Sequence, residues 1–213
     1  MKNADTAMSR AKDRGRNTYQ FYTPDMNAKA LERFSLGNSL RRALEREEFT
    51  LYYQPRVDLN TGGMIGMEAL LRWRNPELGM VSPAHFIPLT EETGLIAPIG
   101  EWILHTACSQ NRAWQEAGLP ALKVSVNLSA RQFRQKELRD TIARVLKDTD
   151  LDPQCLELEL TEGLLMEDTK ASSSTLADLK EMGLGISIDD FGTGYSSLSV
   201  TEHRISYDFG LFK

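Results

Sequence analysis

The sequence predicts an α/β fold with a mainly parallel sheet, and three observations support this prediction. From Phe49 onward, short apolar strand-like segments alternate with longer segments whose apolar side chains recur at helical spacing, as expected when helices connect the strands of a sheet. The strand-like segments carry polar residues on one face only, late in each segment. A chain of 213 residues, 41% of them hydrophobic, is long enough for one substantial core.

The first 48 residues precede this alternating pattern. Apolar residues at helical spacing predict a helix from Ala4 to Arg14, and Gly15 stands where a C-terminal cap belongs. Residues 18–22 predict a short strand. Residues 25–48 are charged and helix-prone, with Gly37 as an interruption, so we expect a connecting helix with a solvated charged face.

The remainder predicts five strands with helices between most of them. The strands are residues 49–57, 65–73, 123–128, 155–161 and 185–190. The clearest helix spans residues 98–117 and is closed by Gly118. A second helix carries Phe133, Leu138, Ile142, Val145 and Leu146, and a third carries Leu176, Leu179 and Met182, with Gly183 beyond its end.

Composition and charge exclude several classes of function. A net charge of −5 and a pI near 5.3 argue against general affinity for nucleic acid polymers or anionic membranes. The sequence has no apolar run long enough to cross a bilayer and no room for a signal peptide, so we expect a cytoplasmic protein. Cys108 and Cys155 lack metal-ligand or redox spacing, which predicts two buried thiols in a reducing compartment.

The polar faces of four strands predict a shared site. Successive side chains of a strand point to opposite faces, so Asn127 and Ser125 oppose two valines, and Glu159 and Glu157 oppose three leucines. The same alternation places Glu68 and Asp189 on the polar faces of their strands. In an α/β barrel, ligands and catalytic groups gather at the carboxyl ends of the strands. We therefore expect Glu68, Asn127, Glu159 and Asp189 to converge, with Asp190 at the rim.

The adjacent carboxylates Asp189 and Asp190 favour a cation as their partner, because burying two ionised acids side by side is costly. For either Asp alone, a cap of the following helix is the favoured explanation, whereas the pair favours a cation site. Oxygen ligands without His or Cys suit Mg²⁺, Mn²⁺ or Ca²⁺ rather than zinc. Two such ions would suit phosphodiester hydrolysis. A structural metal, or hydrogen bonds to helix ends, is the alternative.

Several separate motifs resemble, in order, those of EAL domains, which are bacterial cyclic di-GMP phosphodiesterases built on a TIM-like barrel. The motifs are Gln54-Pro55, Glu68-Ala69-Leu70-Leu71-Arg72-Trp73, Phe86-Ile87-Pro88, Glu91-Glu92-Thr93-Gly94-Leu95-Ile96, Asn127-Leu128-Ser129, Glu159-Leu160-Thr161-Glu162 and Asp189-Asp190-Phe191-Gly192-Thr193-Gly194. The segment Ala4-Asp5-Thr6-Ala7-Met8 and its continuation to Asn17 resemble the closing part of GGDEF (diguanylate cyclase) domains. The resemblance divides the chain into a GGDEF remnant (1–24), a linker helix (25–48), a truncated EAL domain (49–198) and a divergent tail (199–213).

The resemblance also implies the roles of individual residues. The implied ligands of two Mg²⁺ or Mn²⁺ ions are Glu68, Asn127, Glu159, Asp189 and Asp190. Arg72 would contact a phosphate of cyclic di-GMP and Gln54 would lie in the nucleotide groove. Glu162 and Thr193 would support the loop after Asp190, which in the family couples the metal site to a dimer interface. The implied reaction opens cyclic di-GMP to linear pGpG.

The chain departs from the family after Leu198. The later motifs that carry a catalytic Lys and Glu are absent, so no catalytic acid or base is assigned. About five of the eight strands of a barrel are predicted, and a complete barrel takes about 250 residues. We expect impaired hydrolysis. Three hypotheses stay open, namely a phosphodiesterase that retains activity, an inactive cyclic di-GMP-binding or regulatory module, and a fragment without function.

Overall fold

The computed structural model describes residues 17–161, 164 and 169–189, together with residues 4, 7 and 8. Its helices are α1 (Pro24–Ala43), α2 (Pro83–Thr93), α3 (Ile96–Glu116), α4 (Ala130–Phe133), α5 (Leu138–Thr149) and α6 (Thr169–Glu181). Its strands are β1 (Phe49–Val57), β2 (Met64–Asn75), β3 (Gly79–Val81), β4 (Lys123–Asn127), β5 (Leu156–Thr161) and β6 (Gly185–Asp189). Strands and helices alternate, which confirms the predicted α/β class.

The sheet has the strand order β1-β2-β4-β5-β6, and β3 pairs with the end of β2. The pairs β2–β4, β4–β5 and β5–β6 are parallel, as predicted. A tight turn joins β1 to β2, with the amide of Asp58 donating to the carbonyl of Gly63, so β1 is antiparallel to its neighbour. The chain therefore forms part of a barrel-like sheet in which β2, β4, β5 and β6 are parallel, whereas β1 and β3 are antiparallel to β2.

Tertiary contacts divide the chain into two compact units. The first comprises Met1–Phe49 and Trp73–Leu95, and the second comprises Thr50–Arg72 and the chain from Ile96 onward. In the first unit, α1 packs on α2, and Trp73 makes an edge-on ring contact with Phe86. The indole nitrogen of Trp73 donates a hydrogen bond of 2.9 Å to the buried carboxylate of Glu48.

The core of the second unit lies between the apolar face of the sheet and helices α3 and α5. The three leucines of β5 and both valines of β4 are buried, together with Ile99, Leu104, Ala107 and Cys108 of α3 and Ile142 and Val145 of α5. Helices α3 and α5 pack on each other, and α3 packs on β4. Because alternation sends the apolar side chains of each strand toward these helices, it leaves the polar side chains on the opposite face.

One glycine permits the close approach of β2 to β4. Gly66 lies opposite Lys123 in the register, and a Cβ at Gly66 would lie 2.9 Å from the carbonyl oxygen of Lys123. A side chain there would push the strands apart, because Cβ atoms do not approach backbone oxygen so closely. The pairing that places Glu68 beside β4 thus depends on this glycine.

Several predictions about local structure are wrong. Residues 18–22 form no strand, since a strand needs a partner to satisfy its backbone groups. Helix α1 continues through Gly37, because the buried Leu36 and Leu40 around this residue hold the helix by packing.

Two further features were not predicted. The second predicted helix is divided into α4 and α5. Strand β3 follows a turn in which the side-chain oxygen of Asn75 accepts hydrogen bonds from the amides of Glu77 and Leu78. The sequence Asn75-Pro76 was a usable turn signal. None of the described helices is both long enough and apolar enough to cross a membrane.

Candidate functional site

The register of the parallel strands places the predicted site residues at successive levels, offset toward the carboxyl ends of the strands. Glu68 lies level with Ser125, Asn127 lies level with Glu159, and Asp189 lies level with Thr161 one step further toward the carboxyl ends. The sequence predicted the shared face but not this offset between strands. The side chains bridge the offset where they are long enough, since Asn127 Nδ2 donates a hydrogen bond of 2.7 Å to Glu68 Oε1.

Glu159 is the buried carboxylate of the site. Only 6% of the residue is exposed, although its two neighbours on the same strand face, Glu157 and Thr161, are more accessible. The pKa of Glu159 is raised to about 7, chiefly by burial and then by the nearby charge of Glu68, whereas the positive charge of Arg56 acts in the opposite direction. Glu159 is therefore held close to a second carboxylate in a place where its own negative charge is costly.

Arg56 is a site residue that the sequence analysis missed. Its Nη1 atom lies 2.7 Å from Ser125 Oγ, 2.9 Å from Glu157 Oε1 and 2.6 Å from Glu159 Oε1. Arg56 lies on the same strand face as Gln54 by alternation. Since Gln54 is assigned to the nucleotide groove, the sequence pattern could have indicated Arg56 as a site residue. Because β1 is antiparallel to β2, Arg56 near the end of β1 lies toward the amino ends of the parallel strands.

The donor set of this cluster suits a hard divalent cation. Glu68, Glu159 and Asn127 offer carboxylate and amide oxygens, which Mg²⁺, Mn²⁺ and Ca²⁺ prefer. The unfavourable proximity of Glu68 to the buried Glu159 is relieved by positive charge, and Arg56 supplies part of it. Among the side chains that the structure describes, no three Asp, Glu, His or Cys residues are grouped closely enough to form a complete metal site.

The remaining predicted ligands and loop residues are only partly described. The backbone of Asp189 ends β6, next to Thr161 of β5. Asp190, Glu162 and Thr193 lie outside the described residues. The structure thus brings Glu68, Asn127 and Glu159 together as predicted. For Asp189 it gives only the position of the backbone at the end of β6.

The two predicted substrate-binding residues lie on β1 and β2. Gln54 is exposed. Arg72 is half-buried, and its guanidinium carbon lies 5.4 Å from the ring centre of Tyr52 while Nη1 donates to the carbonyl of Leu71. Arg72 follows Glu68 on the same strand face by two alternations. Its guanidinium is therefore on the polar face, where a phosphate would be held by charge-assisted hydrogen bonds.

Helix α4 begins directly after the strand that carries Asn127. The hydroxyl of Ser129 accepts a hydrogen bond from the Gln132 amide, and Gln132 Oε1 accepts from the amide and hydroxyl of Ser129. This reciprocal cap satisfies the first amides of a short helix. It also fixes the direction of the chain as it leaves β4, next to the candidate site.

Comparison with known proteins identifies relatives over most of the chain. The EAL domain family model matches residues 37–204. A bifunctional diguanylate cyclase/cyclic di-GMP phosphodiesterase, MucR of Pseudomonas aeruginosa, is 52% identical over 198 residues, which is 93% of this chain and 29% of MucR. The cyclic di-GMP phosphodiesterase PdeR of Escherichia coli is 38% identical over 199 residues, or 93% of this chain and 30% of PdeR. The chain therefore spans less than a third of the length of each of these relatives.

A solved structure shows the same architecture. The PaMucR phosphodiesterase in complex with c-di-GMP superimposes with a TM-score of 0.75 at 50% sequence identity, over 78% of this chain and 68% of that one. The family match covers well over half of the sequence, and it includes β1, β2 and the strands that carry Asn127, Glu159 and Asp189. On this evidence the chain belongs to the EAL domain family.

Proposed function

We propose that this chain carries the cyclic di-GMP site of an EAL phosphodiesterase and that its function is metal-dependent hydrolysis of cyclic di-GMP to linear pGpG. The observation that carries the proposal is the grouping of Glu68, Asn127 and the buried Glu159 at the polar face of adjoining strands. Oxygen ligands in that arrangement suit a divalent cation. Relatives named as cyclic di-GMP phosphodiesterases support the substrate.

In this proposal five residues hold the metal and the others hold the substrate. The ligands of two Mg²⁺ or Mn²⁺ ions are Glu68, Asn127, Glu159, Asp189 and Asp190. The metal ions supply activation of water and stabilisation of charge at the phosphodiester. Glu162 and Thr193 support the loop after Asp190, and that loop forms a homodimer contact.

The chain's own residues then orient and bind the cyclic dinucleotide. Arg72 donates hydrogen bonds to a phosphate oxygen, which keeps the reacting phosphodiester beside the carboxylates. Gln54 contacts the nucleotide from the exposed face of β1. Asn127 holds Glu68 in place through the hydrogen bond that already joins them, so the ligand carboxylate is oriented before metal or substrate arrives.

The same chain also fits a binding module without turnover, and one observation favours this second candidate. Glu159 already pairs with Arg56 at 2.6 Å, and in this candidate the guanidinium takes the place of a metal ion at Glu159. In that case the protein would bind cyclic di-GMP and act as a receptor or regulatory partner.

A hydrolysis assay with a matched variant tests the proposal. The purified chain is incubated with cyclic di-GMP and Mg²⁺ or Mn²⁺, and pGpG is measured by chromatography. We expect metal-dependent pGpG from the wild type, at the impaired rate that the sequence predicts. At least about 100-fold less is expected from Asp189→Asn, which removes one ligand charge with little change in shape. Chelation with EDTA is expected to stop the reaction.

Binding measured by calorimetry separates the two candidates. Heat of binding without pGpG formation would reject hydrolysis and support the binding module. Absence of both binding and turnover, in a chain that unfolds cooperatively, would reject both candidates.

A further inference from the structure

Arg56 joins three residues of the polar face through a single nitrogen. Nη1 donates to Ser125 Oγ, Glu157 Oε1 and Glu159 Oε1, at 2.7, 2.9 and 2.6 Å. These partners belong to two neighbouring parallel strands, β4 and β5, whereas Arg56 belongs to β1. We propose that Arg56 is a positioning residue that fixes the Glu159 carboxylate for a divalent cation.

The hydroxyl of Ser125 both accepts and donates a hydrogen bond in this network. Ser125 Oγ accepts from Arg56, because a guanidinium has only donors, and it donates its own hydrogen bond of 3.0 Å to Glu157 Oε1. Ser125 is only 1% exposed, and water therefore cannot easily replace either bond. Glu157 and Ser125 together hold the guanidinium nitrogen at one point, and that point determines where Glu159 Oε1 lies.

The contact with Arg56 gives the two carboxylate oxygens of Glu159 different roles. Oε1 takes the hydrogen bond from Arg56 at 2.6 Å, which leaves Oε2 as the oxygen for a metal ion. A carboxylate whose second oxygen is anchored loses less rotational freedom when it binds a cation, so affinity rises. Arg56 acts through Glu159 and touches neither substrate nor the reacting phosphodiester, which is why its role is positioning.

Lys123 offers a matched control in the same cluster. Its Nζ atom lies 3.8 Å from Glu157 Oε2, and its side chain is 52% exposed. Removing this cation changes the local charge by the same amount as removing Arg56 but leaves Glu159 Oε1 and its partner in place. By charge alone, loss of either cation would leave Mn²⁺ affinity unchanged or raise it, because a positive charge repels a bound metal ion. Positioning instead predicts a lower affinity, and for the Arg56 substitution alone.

The experiment measures Mn²⁺ binding to the purified chain from the paramagnetic resonance signal of free Mn²⁺, without substrate. Substituting Arg56→Gln is expected to weaken Mn²⁺ affinity by about 10- to 100-fold, the usual effect of losing a partner of a metal ligand. Arg56→Lys, which keeps a charge and several donors on one nitrogen, is expected to stay within about threefold of the wild type. Lys123→Gln is expected to match the wild type, and thermal unfolding is followed for every variant.

The inference rests on the proposed metal site, and the outcomes separate the two. Wild-type affinity in a folded Arg56→Gln variant overturns the role of Arg56 alone, as does an equal loss in Lys123→Gln. Failure of the wild type to bind Mn²⁺ overturns both the proposed function and this inference. If Arg56→Gln does not unfold cooperatively, Ser125→Ala replaces it, because it frees Nη1 without changing charge. A three- to tenfold loss is then expected, and an unchanged affinity overturns the proposal.

Discussion

Glu48 and Trp73 form a buried polar contact that the strand pattern alone does not reveal. Trp73 is fully buried and its indole nitrogen donates to Glu48 at 2.9 Å, while Arg46 lies 4.0 Å from the other carboxylate oxygen. A buried carboxylate needs such donors, because an unsatisfied charged group costs more than an unsatisfied neutral one. The contact joins the residue before β1 to β2 within the first unit.

Trp73→Phe is expected to destabilise the protein by about 2–4 kcal/mol, because it leaves a cavity and removes the hydrogen-bond donor of Glu48. Urea unfolding measures the change. The paired variants Trp73→Phe, Glu48→Ala and the double variant form a cycle whose coupling is expected to be about 0.5–3 kcal/mol. Strict additivity of the two single changes would show that the hydrogen bond contributes nothing.

At the scale of elements, alternation and capping account for the shape of the candidate site. The alternating pattern of β4 and β5 predicted which side chains face the core, and Val124, Val126, Leu156, Leu158 and Leu160 are all buried there. Helix α4 could not be separated from α5 by apolar spacing, because the break depends on the hydrogen bonds between Ser129 and Gln132. These bonds involve only local residues, but they also depend on the space that α3 provides.

Gly100 of α3 provides that space. A Cβ at Gly100 would lie 1.7 Å from Gln132 Nε2, and Gln132 is buried and held by its bonds with Ser129. Gly100→Ala is therefore expected to destabilise the protein by about 1–3 kcal/mol through overpacking. Because α4 follows Asn127, the same change is expected to weaken Mn²⁺ binding.

Gly37→Ala is the matched control for this change. Gly37 also lies within a helix, but a Cβ there would meet no atom within 4 Å. Alanine is expected to stabilise the protein by about 0.5–1 kcal/mol, because it restricts the unfolded chain. Urea unfolding is measured for Gly37→Ala and Gly100→Ala. Midpoints that shift in the same direction in both variants would contradict the assignment of overpacking to Gly100 alone.

At the scale of the whole molecule, folding opposes the ionisation of buried thiol and phenol groups at alkaline pH. Burial raises the pKa of the Cys108 thiol to about 12. Burial, with a smaller contribution from Cys108, raises the pKa of Tyr53 to about 12. Both groups belong to the second unit, where Tyr53 of β1 contacts Trp114 of α3 edge-on at 4.8 Å.

Alkaline pH is expected to destabilise the folded protein for this reason. The folded state retains protons that the unfolded state releases above about pH 8.5 for cysteine and about pH 10 for tyrosine, so the unfolded state binds fewer protons and stability falls as pH rises. The contribution is complete below these values and is lost progressively toward pH 12. The urea midpoint measured from pH 8 to pH 11 is expected to decrease.

Cys108→Ala provides the control for the pH dependence. It reduces the earlier part of the decrease, which begins near the pKa of an unfolded cysteine, and leaves the later part that belongs to Tyr53. Cys155, whose pKa is also raised by burial, accounts for what remains of the earlier part. A midpoint that stays constant up to pH 11 in the wild type would contradict the assignment of buried neutral groups.

The sequence by itself determined the α/β class, the family, the face of each strand and the grouping of Glu68, Asn127 and Glu159, because these follow from alternation and from motifs in adjacent residues. Only the tertiary structure decided that Asn127 donates a hydrogen bond to Glu68, that the site residues lie at successive levels of the sheet, and that Arg56 pairs with Glu159. Arg56 lies 69 residues from Ser125 and 103 from Glu159. Such a contact depends on strand order and direction rather than on local spacing. The segment 18–22 shows the same dependence, since none of the described strands pairs with it to form a sheet.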